Sequence, residues 1–296
     1  MQKRRRARKP FAWYGGKEAL ASTLLALLPT HKVYCEVFGG SGALLFGKEP
    51  SRLEIFNDLD SGVVNFFRVL RNPQQATVLQ QMLTLTPYAR EEYYDCLEQW
   101  KTADDPVEQA RQWYTGVMQS MNSSIRSTGW SSTKVPGSNP ALAWTNHILC
   151  LETCVRRLAQ VQIDHRDFEQ VIRAYDSFDT CFYLDPPYVP DTRQKRNSYH
   201  YEMSLDDHKR LLRCIQHVQG MVILSGYAHP MYHEALTTWE RLTLTVRCSS
   251  ATRPTAIAQG KAPEGFQRTE CIWMNAACVQ NQPSLFHYMN ADLPSL

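Results

Sequence analysis

The chain has 296 residues, 43% of them hydrophobic and 21% charged, with a formal net charge of +3. That is the composition of an ordinary globular protein of about two domains by the ~150-residue prior, and it argues against intrinsic disorder. The longest apolar stretch, residues 19–28, is interrupted by Ser22 and Thr23 and falls short of the ~20 residues of a membrane span, and no secretory core of ~7–15 apolar residues follows the basic start, so a cytoplasmic location is expected.

The charge is unevenly placed. Residues 3–9, KRRRARK, carry six positive charges, so the rest of the chain sums to −3. Such a run reads either as a solvated, flexible arm or as a phosphate-binding tail, because clustered Arg and Lys release counterions from nucleic acid. From about Pro10, short apolar β-type runs alternate with amphipathic helical ones. Val33 to Phe38 predicts a buried strand, Gly39-Gly40-Ser41-Gly42 a tight loop, and Ala43 to Phe46 the start of a short helix. Leu53 to Phe56 predicts a second strand, stopped by Asn57-Asp58. Strand, glycine loop, helix, strand and acid, in that order, open a nucleotide-binding α/β sheet.

After about Ser61 the rhythm changes. Residues 61–121 carry helical patterns punctuated at Asn72-Pro73, Thr86-Pro87 and Asp105-Pro106, and residues 122–140 are a loop rich in Ser, Gly and Pro. A helix is predicted from about Ala141 to Leu158. Strands then resume at Val161–Ile163 and Cys181–Leu184, followed by a helix at Leu205–Val218 and strands at Met221–Leu224, Leu242–Val246 and Glu270–Met274. The pattern predicts an α/β fold interrupted by a helical insert. The chain divides into a basic arm (1–9), a catalytic domain (10–60 and 160–280), the insert (61–159) and a C-terminal tail (281–296).

The nine cysteines are odd in number and include no C-x-x-C pair, which predicts free thiols in a reducing compartment. Cys150 and Cys154, four apart, are expected on one helix face as small core residues.

The richest stretch is Cys181-Phe182-Tyr183-Leu184-Asp185-Pro186-Pro187-Tyr188. An apolar strand ends in an acid, two prolines fix the backbone, and an aromatic ring follows. Asp185 and the Pro186 carbonyl can then accept the two N–H bonds of an amine on a flat ring, with Tyr188 stacking on that ring.

At these residues the chain resembles the Dam-like DNA adenine methyltransferases, which carry the D12 class of adenine methylase domain. The resemblance runs from about Phe11 to Asn275: Trp13-Tyr14-Gly15-Gly16-Lys17, Glu36-Val37-Phe38-Gly39-Gly40-Ser41-Gly42, Asn57-Asp58, Asp167-Phe168 and the DPPY motif at 185–188 stand in the family's order. It implies a Rossmann-like S-adenosylmethionine-dependent methyltransferase sheet with an inserted helical target-recognition domain. The implied cofactor is S-adenosylmethionine, leaving as S-adenosylhomocysteine, with no metal. Trp13, Lys17, Glu36, Phe38, Gly39, Gly40, Gly42, Asp58, Asp167, Phe168 and Asp185 are the implied cofactor residues. Glycines let the backbone pass close to the cofactor, Asp58 is placed for ribose hydroxyls, Asp167 for the adenine amine, and Lys17 for the methionine carboxylate.

The resemblance further implies methylation of the 6-amino group of an adenine flipped out of double-stranded DNA, with Asp185, Pro186 and Tyr188 as the catalytic set. DNA-binding candidates are Arg126, Trp130 and Lys134 in the insert loop, and Arg193, Lys195, Arg196 and Tyr199 in the loop after Tyr188. Trp130 reads equally as a wedge beside the flipped base or as packing on the insert's own helices. Ser225-Gly226-Tyr227 is expected to wall the acceptor pocket, and His208 to be a packing residue. A monomer acting in a bacterial or phage-infected cell is implied, with a cognate restriction enzyme as a conceivable partner.

Three other readings compete. An amino methyltransferase on the same fold acting on cytosine, RNA adenine or protein glutamine tends to carry Ser or Asn, or lack the large insert, where this chain differs. A non-catalytic nucleic-acid binder would be expected to lose Asp185, Lys17 or the glycines. A nicotinamide dehydrogenase needs G-x-G-x-x-G and leaves DPPY unexplained.

Overall fold

A computed structural model describes residues 8–121, 123–126, 129–135, 137–192, 200–247 and 267–283. Seven strands form one sheet: β1 (Val33–Glu36), β2 (Leu53–Asn57), β3 (Val161–Asp164), β4 (Thr180–Leu184), β5 (Met221–Tyr227), β6 (Glu240–Arg247) and β7 (Gln267–Met274), in the order β3-β2-β1-β4-β5-β7-β6. The first five are parallel, and β7 runs antiparallel to both β5 and β6. This is a Rossmann-like α/β sheet, as the resemblance implies. Its strand order reverses between β1 and β4, where the crevice outside the strand ends receives ligands in such sheets.

The helices follow from the punctuation in the sequence. Helix α1 is Ala21–Leu27 and α2 is Ala43–Gly47; in the segment expected as an insert come α3 (Ser61–Arg71), α4 (Pro73–Leu85), α5 (Arg90–Gln99), α6 (Pro106–Met118) and α7 (Pro140–Leu158). The side chains of Asn72, Asp105 and Asn139 accept backbone N–H bonds as N-caps, each followed by proline at the first helical position, where its missing N–H costs nothing. Sites that read as breaks are thus helix starts. Beyond the insert, α8 is Phe168–Tyr175, α9 Leu205–Ile215, α10 Pro230–Ala235 and α11 Ala276–Gln280.

Period-two alternation in the strands feeds two cores. On one face Tyr34, Phe56, Tyr183, Ile223 and Ile272 pack with Phe66 and Phe67 of α3, Trp113 and Tyr114 of α6, and Leu151 of α7. On the other, Cys35, Ile55, Phe182, Val222, Leu224 and Trp273 pack with α8, α9 and α10. A buried triad ties α7 to the sheet: Glu54 of β2, 1% exposed, accepts from Lys48 at 2.5 Å and from Arg157 at 2.5 and 2.8 Å. The eight cysteines among the described residues are free, with Cys154 buried and Cys150 half-buried on α7. Among the described residues no helix is long and apolar enough to cross a membrane.

Residues 1–7 and 284–296, which hold most of the basic arm and of the tail, lie outside the described residues, as do Arg193, Lys195, Arg196 and Tyr199. The end of the arm is anchored. The Arg8 carbonyl accepts from the Cys154 thiol at 3.0 Å, and Lys9 pairs with Glu18 at 2.9 Å.

Candidate active site

The carboxyl ends of β1, β2 and β4 open into one cleft of about 1120 Å³, its solvent-open part included. Ten of the eleven residues expected around a cofactor line it: Trp13, Lys17, Glu36, Phe38, Gly39, Gly40, Asp58, Asp167, Phe168 and Asp185. Gly42 does not. It sits beneath the loop at φ +67°, capping α2, with its N–H on the Gly39 carbonyl at 2.8 Å.

The glycine loop follows β1 because the chain must turn sharply there. Gly40 has φ +50°, and a Cβ on it would stand 2.8 Å from Cδ1 of Trp13. Only glycine lets that indole lie against the loop. Asp58, directly after β2, braces the same turn. One of its oxygens accepts from the Gly40 N–H at 2.7 Å, the other from the Asp60 N–H at 2.8 Å. Burial and the neighbouring Asp60 push the Asp58 carboxyl up to about 6. Burial also pushes Glu36 up to about 8, against the hydrogen bonds it accepts from the Tyr34 hydroxyl and the Leu45 N–H.

At the far wall, Asp167 caps α8 through the Glu169 N–H at 3.0 Å. Its two oxygens also accept from the Arg210 guanidinium at 3.0 and 2.8 Å, and that guanidinium lies 4.4 Å from the centroid of the Phe168 ring. The adenine-amine role expected of Asp167 therefore has to coexist with an ion pair. Nothing in the local sequence announces Arg210.

The chemical centre lies between β4, β5 and β7. The N-terminal segment crosses α6, with the Tyr114 hydroxyl on the Pro10 carbonyl at 3.0 Å, and delivers Lys17 to the end of β4. The Lys17 ammonium, 7% exposed, stands 2.7 Å from Asp185 Oδ1 and 3.3 Å from Glu270 Oε1. Burial alone would lower its pKa, but the two carboxylates outweigh burial and raise it, so the ammonium stays charged. Ser225 of β5 donates to the same Asp185 oxygen at 2.8 Å, and the Tyr188 hydroxyl stands 3.3 Å from it. These three contacts fall on Oδ1, and Oδ2 takes part in none of them. The Tyr188 hydroxyl also donates to Glu270 Oε1.

Lys17 thus meets Asp185 and Glu270 where the sequence suggested a methionine carboxylate. Tyr188 is buried rather than lining the cleft, its ring 4.7 Å from the Lys17 ammonium and 4.5 Å, edge-on, from Tyr227. Pro186 is likewise absent from the lining, which takes Pro187 instead. Sequence reasoning missed Glu270. The available signal was alternation, since Glu270, Ile272 and Met274 share one face of β7, the face that joins the core containing Tyr183.

In the insert, Arg126 and Lys134 are exposed. Trp130 is half-buried, its indole N–H donating to Gln119 at 3.2 Å, with the Tyr88 ring 5.4 Å and the Arg90 guanidinium 5.0 Å from its own ring. The loop reaches the cleft mouth through the Ser123 carbonyl, which accepts from the Tyr14 N–H at 3.1 Å. His208 is buried on α9 against the Tyr232 hydroxyl at 2.8 Å.

Comparison with known proteins adds three findings. The family described as "D12 class N6 adenine-specific DNA methyltransferase" matches residues 13–241. A "DNA N-6-adenine-methyltransferase" of Escherichia phage P1 is 23% identical over 269 residues, which is 84% of this chain and 34% of that protein, so the chain spans about a third of that relative's length. The solved structure described as "a putative RNA methyltransferase PH1948 from Pyrococcus horikoshii" aligns over 91% of this chain and 89% of its own, at 10% identity and a TM-score of 0.36, too distant to carry an argument.

Proposed function

Because the chain belongs to the D12 class N6 adenine-specific DNA methyltransferase family, we propose that its cleft binds S-adenosylmethionine and that Asp185 receives the 6-amino group of an adenine flipped out of duplex DNA. The observation that carries this reading is the fixed state of Asp185 at the cleft. Lys17 and Ser225 hold Oδ1, and Oδ2 is left outside those bonds.

The cofactor wall supports the same reading. The glycine loop offers close backbone approach, Asp58 and Glu36 offer carboxyl oxygens, and Phe38 and Phe168 offer apolar surface. Bound S-adenosylmethionine would supply an electrophilic methyl group on a sulfonium. The chain's own residues do the rest. An exocyclic adenine amine is a weak nucleophile because its lone pair is delocalised into the ring. Asp185 Oδ2 accepts one of its N–H bonds and favours a pyramidal nitrogen. Lys17 holds Asp185 in place, so orientation and preorganised charge carry the rate. A duplex buries that amine, hence the flipped base.

Arg126 and Lys134 face the phosphates or base edges of the target in this reading, with Trp130 held by Arg90 and Tyr88 as part of the same surface. Arg193, Lys195, Arg196 and Tyr199 follow the catalytic motif and are proposed as the second DNA segment. The test is to incubate the protein with methyl-labelled S-adenosylmethionine and, separately, duplex DNA, RNA and a protein mixture. Label in duplex DNA is expected. Label confined to RNA or protein overturns the substrate.

A further inference from the structure

Glu270 is a buried acid on the strand face that it shares with Ile272 and Met274 of the core. It is 6% exposed, and one oxygen, Oε1, takes both the Lys17 ammonium and the Tyr188 hydroxyl. It does not line the cleft, whereas Lys17 and Asp185 do. Burying a carboxylate is costly unless it is paired, and its partner here is already paired with Asp185 at the shorter distance of 2.7 Å. Two carboxylates therefore share one ammonium, so whenever both are ionised these three groups carry one negative charge in excess. Among the described side chains, the groups facing Glu270 are Lys17 from the N-terminal segment, Asp185 and Tyr188 after β4, and Tyr183 on β4. Its register neighbours are Tyr227 on β5 and Leu244 on β6.

We propose that Glu270 is a positioning residue whose charge sets the preference of this site for a cationic methyl donor over its uncharged-sulfur product. This deepens the methyl-transfer reading and rests on it. A donor that reacts at Asp185 brings its sulfonium next to this cluster, where the excess negative charge favours it. The thioether product has lost that positive charge, so the same cluster gives it no such advantage and product departure is eased. Lys17 transmits the effect by holding the acidic pair together, and Tyr188 is fixed by the same oxygen.

The test is calorimetric and independent of turnover. S-adenosylmethionine and S-adenosylhomocysteine are titrated into wild type, Glu270→Gln and Glu270→Ala. Glutamine keeps an acceptor for Lys17 and Tyr188 but removes the charge. The ratio of the two affinities should fall on the order of tenfold in Glu270→Gln, the order of one charge lost in a partly screened site. A purely structural role predicts instead an unchanged ratio in Glu270→Gln and an equal weakening of both ligands in Glu270→Ala. That outcome overturns the proposal.

The pH dependence provides a second arm, read against Glu270→Gln. Burial holds the Glu270 carboxyl above its ordinary range, against Lys17 and Tyr188. The ratio should therefore rise more between pH 4.5 and pH 8 in wild type than in Glu270→Gln, which shares the titration of Asp58 and Glu36 in the same cleft, and an equal rise in both proteins overturns the proposal. Binding of neither ligand by wild type overturns the methyl-transfer reading along with it. Binding of both with an insensitive ratio removes Glu270 alone.

Discussion

At the residue scale, Asp185 is proposed to hold the acceptor amine and Asp58 the cofactor ribose. Asp185→Ala removes the acceptor held by Lys17 and Ser225. It should slow methyl transfer by ~10²-fold or more, the order seen when one preorganised charged contact is lost. Thermal unfolding checks that the variant is folded, and wild-type turnover by folded Asp185→Ala contradicts the assignment. Asp58 makes a different prediction. Its carboxyl, raised from 3.8 to about 6, accepts a ribose hydroxyl best when ionised. Affinity for S-adenosylmethionine should rise as pH climbs through about 6, and Asp58→Asn should flatten that rise. The same shift works against stability. The folded state holds this proton more tightly than the unfolded one, so folding weakens as pH rises from 3.8 toward about 6. Titration calorimetry across that range reads the first effect and thermal unfolding the second.

At the element scale, the clamp between α7 and β2 is the part most exposed to a single substitution. Glu54→Gln leaves the Lys48 and Arg157 cations buried together, 6% and 9% exposed, without their shared carboxylate. Breaking such a cluster typically costs ~3–5 kcal/mol, and denaturant titration should show a loss of that order. The pH dependence has a definite sign. Burial would raise the Glu54 carboxyl, but Arg157 and Lys48 outweigh it and hold it below 4.5. Its contribution is full above 4.5 and is lost as pH falls through the lowered value. Glu54→Gln should therefore flatten the acid limb of the wild-type stability curve.

The elements also show what was legible in advance. Strands β1, β2 and β4 stood out because each apolar run ends in glycine or an acid. The Asn72-Pro73 and Asp105-Pro106 breaks mark real boundaries, since a side-chain cap and proline act locally. Strand β5 runs three residues beyond its predicted end at Leu224, through Ser225, Gly226 and Tyr227, because pairing with β7 outlasts the apolar run. The predicted glycine loop and Asp185 meet in one cleft, but Lys17 and Glu270 meet Asp185 from opposite ends of the chain. No spacing rule reports a contact of that kind. Glu270 lies at the predicted start of a strand, where an acid ordinarily faces water.

At the scale of the whole molecule, the helices α3 to α7 of the expected insert pack onto the sheet. Trp113, Tyr114 and Leu151 share a core with Tyr34, Tyr183 and Ile223. Helical periodicity announces those helices but not the surface they cover. The basic arm belongs to this scale too. Its six charges, in a chain otherwise at −3, suit duplex phosphates without reading bases. Deleting residues 3–9 should weaken DNA binding across all sequences and make the logarithmic salt slope shallower, by up to ~0.9 per lost phosphate contact. Affinity measured at several salt concentrations checks this, with methylated sites mapped in parallel. An unchanged slope makes the arm a spectator, and altered sites make it a base reader.

The central claim is that this cleft places a methyl group on the 6-amino nitrogen of adenine in duplex DNA. The most direct measurement is nucleoside analysis of duplex DNA after incubation with S-adenosylmethionine and wild-type protein, with Asp185→Asn as the paired control. The account predicts N6-methyladenine with wild type and its loss with Asp185→Asn. Methylcytosine as the product, or equal N6-methyladenine from both proteins, would contradict it.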